Sequence, residues 1–221
     1  RVSVGDVGQQ GSAGGGSFGG SMSADGRFVV FWSFATNLTP GDTNNTSDVF
    51  LYDQTLGTAV CLSAGLGGGT GNAISGDPVV SSDGRYAAFG SSATNLVVGD
   101  TNGFSDGFVY ERLSGSLSIL TLANGGGASN SHSGVDCISA DGRFVGFVSG
   151  ATNLVTGDTN NRPDVFVRDR ALGTTTRVSV SSNGVQGDLE SSRARISANG
   201  RFIAFESAAK NFFFGDGNGW D

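Results

Sequence analysis

One hexapeptide recurs along this chain at a fixed interval. Ser23-Ala24-Asp25-Gly26-Arg27-Phe28 returns as Ser81 to Tyr86, as Ser139 to Phe144, and as Ser197-Ala198-Asn199-Gly200-Arg201-Phe202, each 58 residues after the last. Gly41-Asp42-Thr43-Asn44 returns in the same phase at Gly99, Gly157 and Gly215, and Asn37-Leu38 at Asn95, Asn153 and Asn211. Three landmarks in one phase make the 221 residues a fourfold internal repeat, with units starting near 19, 77, 135 and 193. A unit of this size cannot cover its own faces, so neighbours must stack.

Within a unit the periodicity is that of strands. Pro78-Val79-Val80-Ser81 leads into Asp83-Gly84, and an apolar run such as Phe28-Val29-Val30-Phe31-Trp32 follows the turn. Asp-Gly between apolar runs predicts a hairpin with a type I′ turn, positive φ at both central residues. A run apolar on both faces suits a strand sandwiched between sheets. After a polar loop of about 15 residues, with turn chemistry throughout, comes a third strand, Asp48 to Asp53, echoed by Asp164 to Asp169. Leu56-Gly57-Thr58 and Leu172-Gly173-Thr174 mark a second tight turn. The fourth strand is read at Val60-Cys61-Leu62, Ser118-Ile119-Leu120 and Arg177-Val178-Ser179-Val180. No stretch keeps a 3.6-residue period, so almost no helix is expected. Four antiparallel strands, a to d, repeated radially make an all-β fold, a β-propeller of about four blades in this chain. The rungs of a β-helix are much shorter than this repeat.

The pattern Ser-x-Asp-Gly-Arg-Phe-x-x-Phe, then Asp-Val-Phe-x-x-Asp, then Gly-Thr-x-x-x-x-Val resembles the TolB-like propeller repeats of bacteria, relatives of WD-type blades. The resemblance covers essentially the whole chain. It implies strand order a-b-c-d from the centre outward, with Asp-Gly at the a–b turn. It also implies functions from periplasmic protein-binding modules to propellers attached to peptidases, and the fold does not choose among these. The blades here are longer than is usual for the family, and the excess lies in the b–c and d–a loops.

Charge narrows the partners. There are 13 basic and 20 acidic residues, a net charge of −7, and Lys210 is the only lysine. Scattered arginines on an acidic domain make a poor nucleic-acid surface, because phosphate affinity needs clustered cations. No run of 18 apolar residues offers a membrane span. The 16 Phe, 3 Tyr and 2 Trp argue against disorder. Cys61 and Cys137 fall on different strands of different blades and are read as buried free thiols.

In a blade, the b–c and d–a connections emerge on one face and the short a–b and c–d turns on the other. The long loops, including the Gly-rich stretches 64–77, 123–136 and 181–192, therefore mark the working face. Each b–c loop there carries Asp-x-Asn-x-x-x-Asp: Asp42, Asn44 and Asp48; Asp100, Asn102 and Asp106; Asp158, Asn160 and Asp164. Two readings stay open. Ca²⁺ takes six to eight oxygens, which such loops deliver from alternate positions. Alternatively, each loop is an Asx-turn shaping the entry to strand c, with Asn37 and its equivalents doing similar work. The fourth copy, with Asp216 and Asn218, is one residue short.

Other candidates are weaker. His132 is the only histidine, with no recurring Ser or Cys partner. Asp188 and Glu190 lie close together on a d–a loop, where a carboxylate pair for glycoside hydrolysis is conceivable. Arg27, Arg85, Arg143 and Arg201 are read as structural ion-pair residues. Arg1-Val2-Ser3-Val4 matches Arg177 to Val180, a lone outer strand, while the last unit stops where strand c should begin. Two expectations follow: a single propeller domain completed by a partner such as a second copy, or a piece of a larger ring. The functional expectation is a secreted, periplasmic or surface-associated binding module for a protein or glycan, with calcium-stabilised b–c loops. The alternatives are a carbohydrate-active hydrolase or lyase on the long-loop face, and a structural segment of a larger surface protein.

Overall fold

The computed structural model describes residues 1–5, 8–12 and 15–213. Asp216, Asn218 and Trp220 lie outside them. Blade one is β1 (Ser17–Met22), β2 (Phe28–Ser33), β3 (Asp48–Asp53) and β4 (Thr58–Cys61). Blade two is β5 (Ser75–Val80), β6 (Tyr86–Ser91), β7 (Asp106–Glu111) and β8 (Ser116–Ile119). Blade three is β9 (Ser133–Ile138), β10 (Phe144–Ser149), β11 (Asp164–Asp169) and β12 (Thr174–Arg177), and β13 (Ser191–Ile196) with β14 (Ile203–Ser207) form the described part of blade four. Each sheet is antiparallel with strands in sequence order. The first strands pack side by side, β1 on β5, β5 on β9 and β9 on β13, so they are innermost. No helix occurs among the described residues. The architecture bears out the propeller expectation.

The core sits between blades. Phe28, Val30 and Leu51 of blade one pack with Val80, Phe89 and Phe108 of blade two. Ala88 and Val109, on the other face of blade two, pack with Val145, Phe147 and Phe166 of blade three. Cys137 and Val165 of blade three meet Ala194 of blade four. Strands b and c are thus buried on both faces, which is why they read as continuous apolar runs.

The repeated hexapeptide is the fastener of these seams. Gly84, at φ +66, lies so close to blade one that an added Cβ would sit 2.1 Å from the Phe28 ring. Gly142 approaches Tyr86 in the same way and Gly200 approaches Phe144. From the c–d turns, Arg112 stacks its guanidinium 4.1 Å from the Phe28 ring centre and Arg170 stacks 4.0 Å from that of Tyr86. Backbone bonds staple the seams at both ends. Ala24 N–H donates to Ser82 O (2.8 Å), Ser82 to Ala140 O (3.0 Å) and Ala140 to Ala198 O (2.9 Å) on the short-turn face. Ser75 N–H donates to Ser47 O, Ser133 to Ser105 O and Ser191 to Pro163 O on the long-loop face.

Three local expectations need correction. The a–b connection is not a type I′ turn. Ser23 pairs with Phe28 across four residues, and of the turn's Asp-Gly pair only the glycine has positive φ (Gly26 at 72°). Asp25 instead accepts from Ser23 Oγ (2.5 Å) and the Arg27 amide (3.0 Å), holding the wider turn with its side chain. Strand d runs earlier than expected, Thr58–Cys61 and Thr174–Arg177, because it starts directly at the c–d glycine turn. Residues 1–4 correspond to the segment at its end, where the described structure is a single bridge from Val4 to Gln10 and no strand. Strand a begins earlier, at Ser75, Ser133 and Ser191, so the Gly-rich stretches end inside it. The a–b ladder is bulged in every blade, at Gly, Asp or Pro residues in blades one to three and at Arg193-Ala194 in blade four, which hides the strand from pattern reading.

The seam makes a paired prediction. Gly84→Ala is expected to cost about 2–4 kcal/mol, left-handed strain plus collision with Phe28. Gly26→Ala, at φ +72 with nothing within 4 Å of its added Cβ, should cost only about 1 kcal/mol of strain. Urea unfolding of both variants measures the difference, and equal losses would contradict the seam contact.

Candidate functional site

The Asp-x-Asn loops fold as hydrogen-bonded knots at the head of strand c. Asn44 Oδ1 accepts the Thr46 amide (2.8 Å), an Asx-turn, and Asn44 Nδ2 donates to Asp48 Oδ2 (3.0 Å) and Gly71 O (2.8 Å). Asn102 and Asn160 repeat this, accepting from the Phe104 and Arg162 amides and donating to Asp106 and Asp164. The next residue, Asn45, Gly103 or Asn161, takes positive φ, a conformation these residue types tolerate. Asp48, Asp106 and Asp164 are fully buried and accept a hydroxyl from strand d's end: Ser63, Thr121 or Ser179 (2.7, 2.6 and 2.6 Å). Burial pushes the Asp48 carboxyl up to about 6. Asn37 and its equivalents do different work from the Asx-turn expected of them. Asn37 accepts the Ser12 amide and donates to Gln10 O, clamping the d–a loop, as Asn153 and Asn211 do for theirs.

Each loop's first carboxylate is handled differently. Asp42 meets Thr70 Oγ1 at 3.4 Å. Asp158 accepts Gln186 Nε2 (2.8 Å) and pairs with Arg177 (3.5 Å), whose Nη1 also lies 4.0 Å from Asp164. Asp100 is 8% exposed and its Oδ1 has no hydrogen-bond partner. Burial, and then the charge of Asp106, push its carboxyl above the usual carboxylate range.

A groove of about 690 Å³ runs along the innermost strands and opens at the long-loop rim, lined among others by Trp32, Asp77, His132, Asp136 and Arg195. Some residues in and beside it depart from the repeat. Phe18, Trp32 and Phe34 form an aromatic cluster on blade one, Phe18 stacked on Trp32 at 4.8 Å and Phe34 edge-on to Trp32 at 5.5 Å. Phe18 is 51% and Phe34 38% exposed. The same positions hold Gly76, Gly90 and Ser92 in blade two and Gly134, Val148 and Gly150 in blade three. Asp77 sits at the strand-a bulge with φ 50°, and Arg193 takes φ 56° at the equivalent position. Asp136 accepts the Ala194 amide across the seam (2.7 Å), and burial raises its carboxyl despite that bond and the nearby Arg195, with Asp77 adding a smaller push upward. Asp77 thus stands at a bulge on the groove wall. The sequence reading missed this cluster. The signal was present, since three aromatics stand where units two and three have small or aliphatic residues.

The remaining candidates resolve into structure. Arg27 and Arg143 clamp Asp53 and Asp169 through two nitrogens each, and Arg85 pairs with Glu111 at 2.8 Å, as expected of structural ion pairs. Asp188 accepts the Lys210 amide (2.8 Å), the part that Asn72 and Asn130 play in their blades, and Glu190 is exposed. His132 meets Ser105, whose amide (3.0 Å) and Oγ (2.9 Å) both reach Nδ1. An amide donor there makes Nδ1 an acceptor, so the ring's proton is on Nε2. Both cysteines are free, their thiols pushed up by burial to about 12 (Cys61) and about 11 (Cys137).

These carboxyls set a pH dependence. Asp48 titrates higher folded than unfolded, so the folded state binds more protons between about pH 4 and 6 and loses stability as pH rises through that window. A shift of about two units corresponds to about 3 kcal/mol. Glu111, held down to about 2 by the Ser114 and Arg85 hydrogen bonds, acts oppositely: its contribution is present above about pH 4.5 and lost toward pH 2. Urea midpoints in metal-free buffer should therefore peak near pH 4–5 and decline toward pH 7. A rise from pH 4 to 7 would contradict the burial of Asp48.

No protein-family model matches the chain, and no curated protein matches it in sequence. Solved structures do. TolB from Acinetobacter baumannii superposes over 89% of this chain and 39% of its own, with a TM-score of 0.53 and 18% identity. A putative TolB from Agrobacterium tumefaciens does so over 89% and 55%, at 0.55 and 17%. A structure from an analysis of two prolyl endopeptidases matches over 87% of this chain and 26% of its own, at 0.53 and 12%. The chain spans about two fifths to just over half of the two TolB chains. In fold, then, this chain is a TolB-like β-propeller.

Proposed function

We propose that this propeller is a binding module whose ligand, a protein segment or a glycan, lies in the central groove at the long-loop face. The observation that carries this reading is the blade-one aromatic cluster, whose Trp32 lines a groove that also presents Asp77, Asp136 and Arg195. Exposed aromatics offer flat apolar area at low entropic cost, and a few polar groups fix orientation. In this proposal the b–c loops, whose last residues Ser105 and Pro163 reach the groove wall, are supports stiffened by Ca²⁺, and the setting is secreted, periplasmic or cell-surface. Such a setting suits calcium sites of ordinary extracellular affinity.

One observation favours a second reading. Two carboxyls line the groove, and Asp136 is raised by burial and by Asp77, as a general acid would be. That reading is a hydrolase or lyase acting on carbohydrate.

Peptide and glycan arrays probed with the wild-type chain and with Trp32→Ala and Asp136→Asn separate these readings. For a binding module, each variant loses about tenfold or more in affinity for the same ligand class, and bound ligand is recovered intact. Cleaved ligand with wild type and intact ligand with Asp136→Asn favours the enzyme. Unchanged binding by both variants moves the site out of the groove.

A further inference from the structure

We propose that the Asp100–Asp106 loop of blade two binds one Ca²⁺, and that blade three carries its own substitute for that ion in Arg177 and Gln186. This rests on the calcium reading of the b–c loops and is independent of what the groove binds.

The repeat supplies the comparison. In blade three, Arg177 Nη1 faces both Asp158 and Asp164, and Gln186 Nε2 donates to both (2.8 and 2.9 Å). The two carboxylates of the loop therefore converge on one point, and a guanidinium and an amide occupy it. The equivalent residues are Ile119 and Ala128 in blade two, and Cys61 and Thr70 in blade one. Blade one still gives Asp42 the Thr70 hydroxyl. Blade two gives Asp100 no side-chain donor, and its Oδ1 is buried without a partner. Asp106 is buried beside it, its oxygens already accepting from Asn102, Thr121 and Ser129 (2.7, 2.6 and 3.0 Å).

A buried, unpartnered carboxylate oxygen next to a second buried carboxylate is costly unless a cation compensates. In blade three the chain provides that cation. In blade two the side chains of Ile119 and Ala128 can provide neither charge nor hydrogen bond. Two carboxylates and a shell of waters match the hard-oxygen preference of Ca²⁺. Asn102 Oδ1 accepts the Phe104 amide and its Nδ2 donates to Asp106, which orients that carboxylate toward the ion.

The test uses the purified chain, stripped with EDTA and dialysed against CaCl₂, with bound calcium measured by mass spectrometry and Tm by scanning calorimetry. Wild type should gain an ion that Asp100→Asn removes, with a rise in Tm of roughly 5–10 °C at a hundredfold excess over Kd. Arg177→Ile with Gln186→Ala, which gives blade three the residues of blade two, should add one further ion. Ile119→Arg with Ala128→Gln should abolish the blade-two ion while the fold stays intact by circular dichroism. No bound calcium overturns both the inference and the calcium reading. Calcium content that Asp100→Asn leaves unchanged overturns the inference alone.

Discussion

The packing of one blade's turn glycine against the next blade's aromatic ring is the contact on which the rest of this structure depends. Strands b and c are apolar on both faces, so a blade alone would expose two greasy surfaces. Burial comes only when Phe28, Val30 and Leu51 meet Val80, Phe89 and Phe108, and the sheets can close to that distance because Gly84 has no side chain. The arginine stack on Phe28 and the Ala24-to-Ser82 bond then fix the angle between blades. The same joint appears at Tyr86 with Gly142 and Arg170. Stability is therefore a sum over similar seams, as in other repeat proteins.

A scaffold made of identical joints leaves function to the positions that differ. Phe18, Trp32 and Phe34 replace residues that are small or aliphatic in blades two and three, and they gather beside the innermost strands. Asp77 and Asp136 occupy strand-a positions that are Gly19 and Gly20 in blade one. Arg177 faces the two carboxylates of one b–c loop and Gln186 donates hydrogen bonds to them, while Ile119 and Ala128 leave its neighbour's Asp100 Oδ1 without a partner. A rigid frame holds each departure at a known place, which is how one fold carries unrelated binding surfaces.

The repeat period, the all-β architecture, the strand order and the location of the long loops were legible in the sequence, because the Asp-Gly-Arg-aromatic block is local and repeats in phase. The ends of strands a and d were not. Strand a carries a bulge whose Gly, Asp and Pro residues look like loop, and strand d is half exposed and short. The type I′ turn was misread because an Asp side chain, and not a second positive φ, holds the loop. The Asp-x-Asn motif was visible, but not the split of labour within it: Asn forms the turn and Asp anchors strand d. The groove was hidden because Asp77, Asp136 and Trp32 are far apart in sequence and meet only when the innermost strands line up. Comparing the repeats position by position reveals Trp32 in its wall and the aromatic cluster beside it, where one blade's residues stand out against those of blades two and three.

Native-state hydrogen exchange read at the amides of Ala24, Ser82 and Ala140 tests most directly whether the seams hold the blades together. These amides sit in surface turns, where a free turn would exchange by local fluctuation. If each seam is a cooperative joint, all three should exchange only through large openings, with free energies that fall with denaturant as steeply as those of strand b. Fast exchange insensitive to denaturant would mean that the turns fray independently and that the strand ladders alone hold the blades in place.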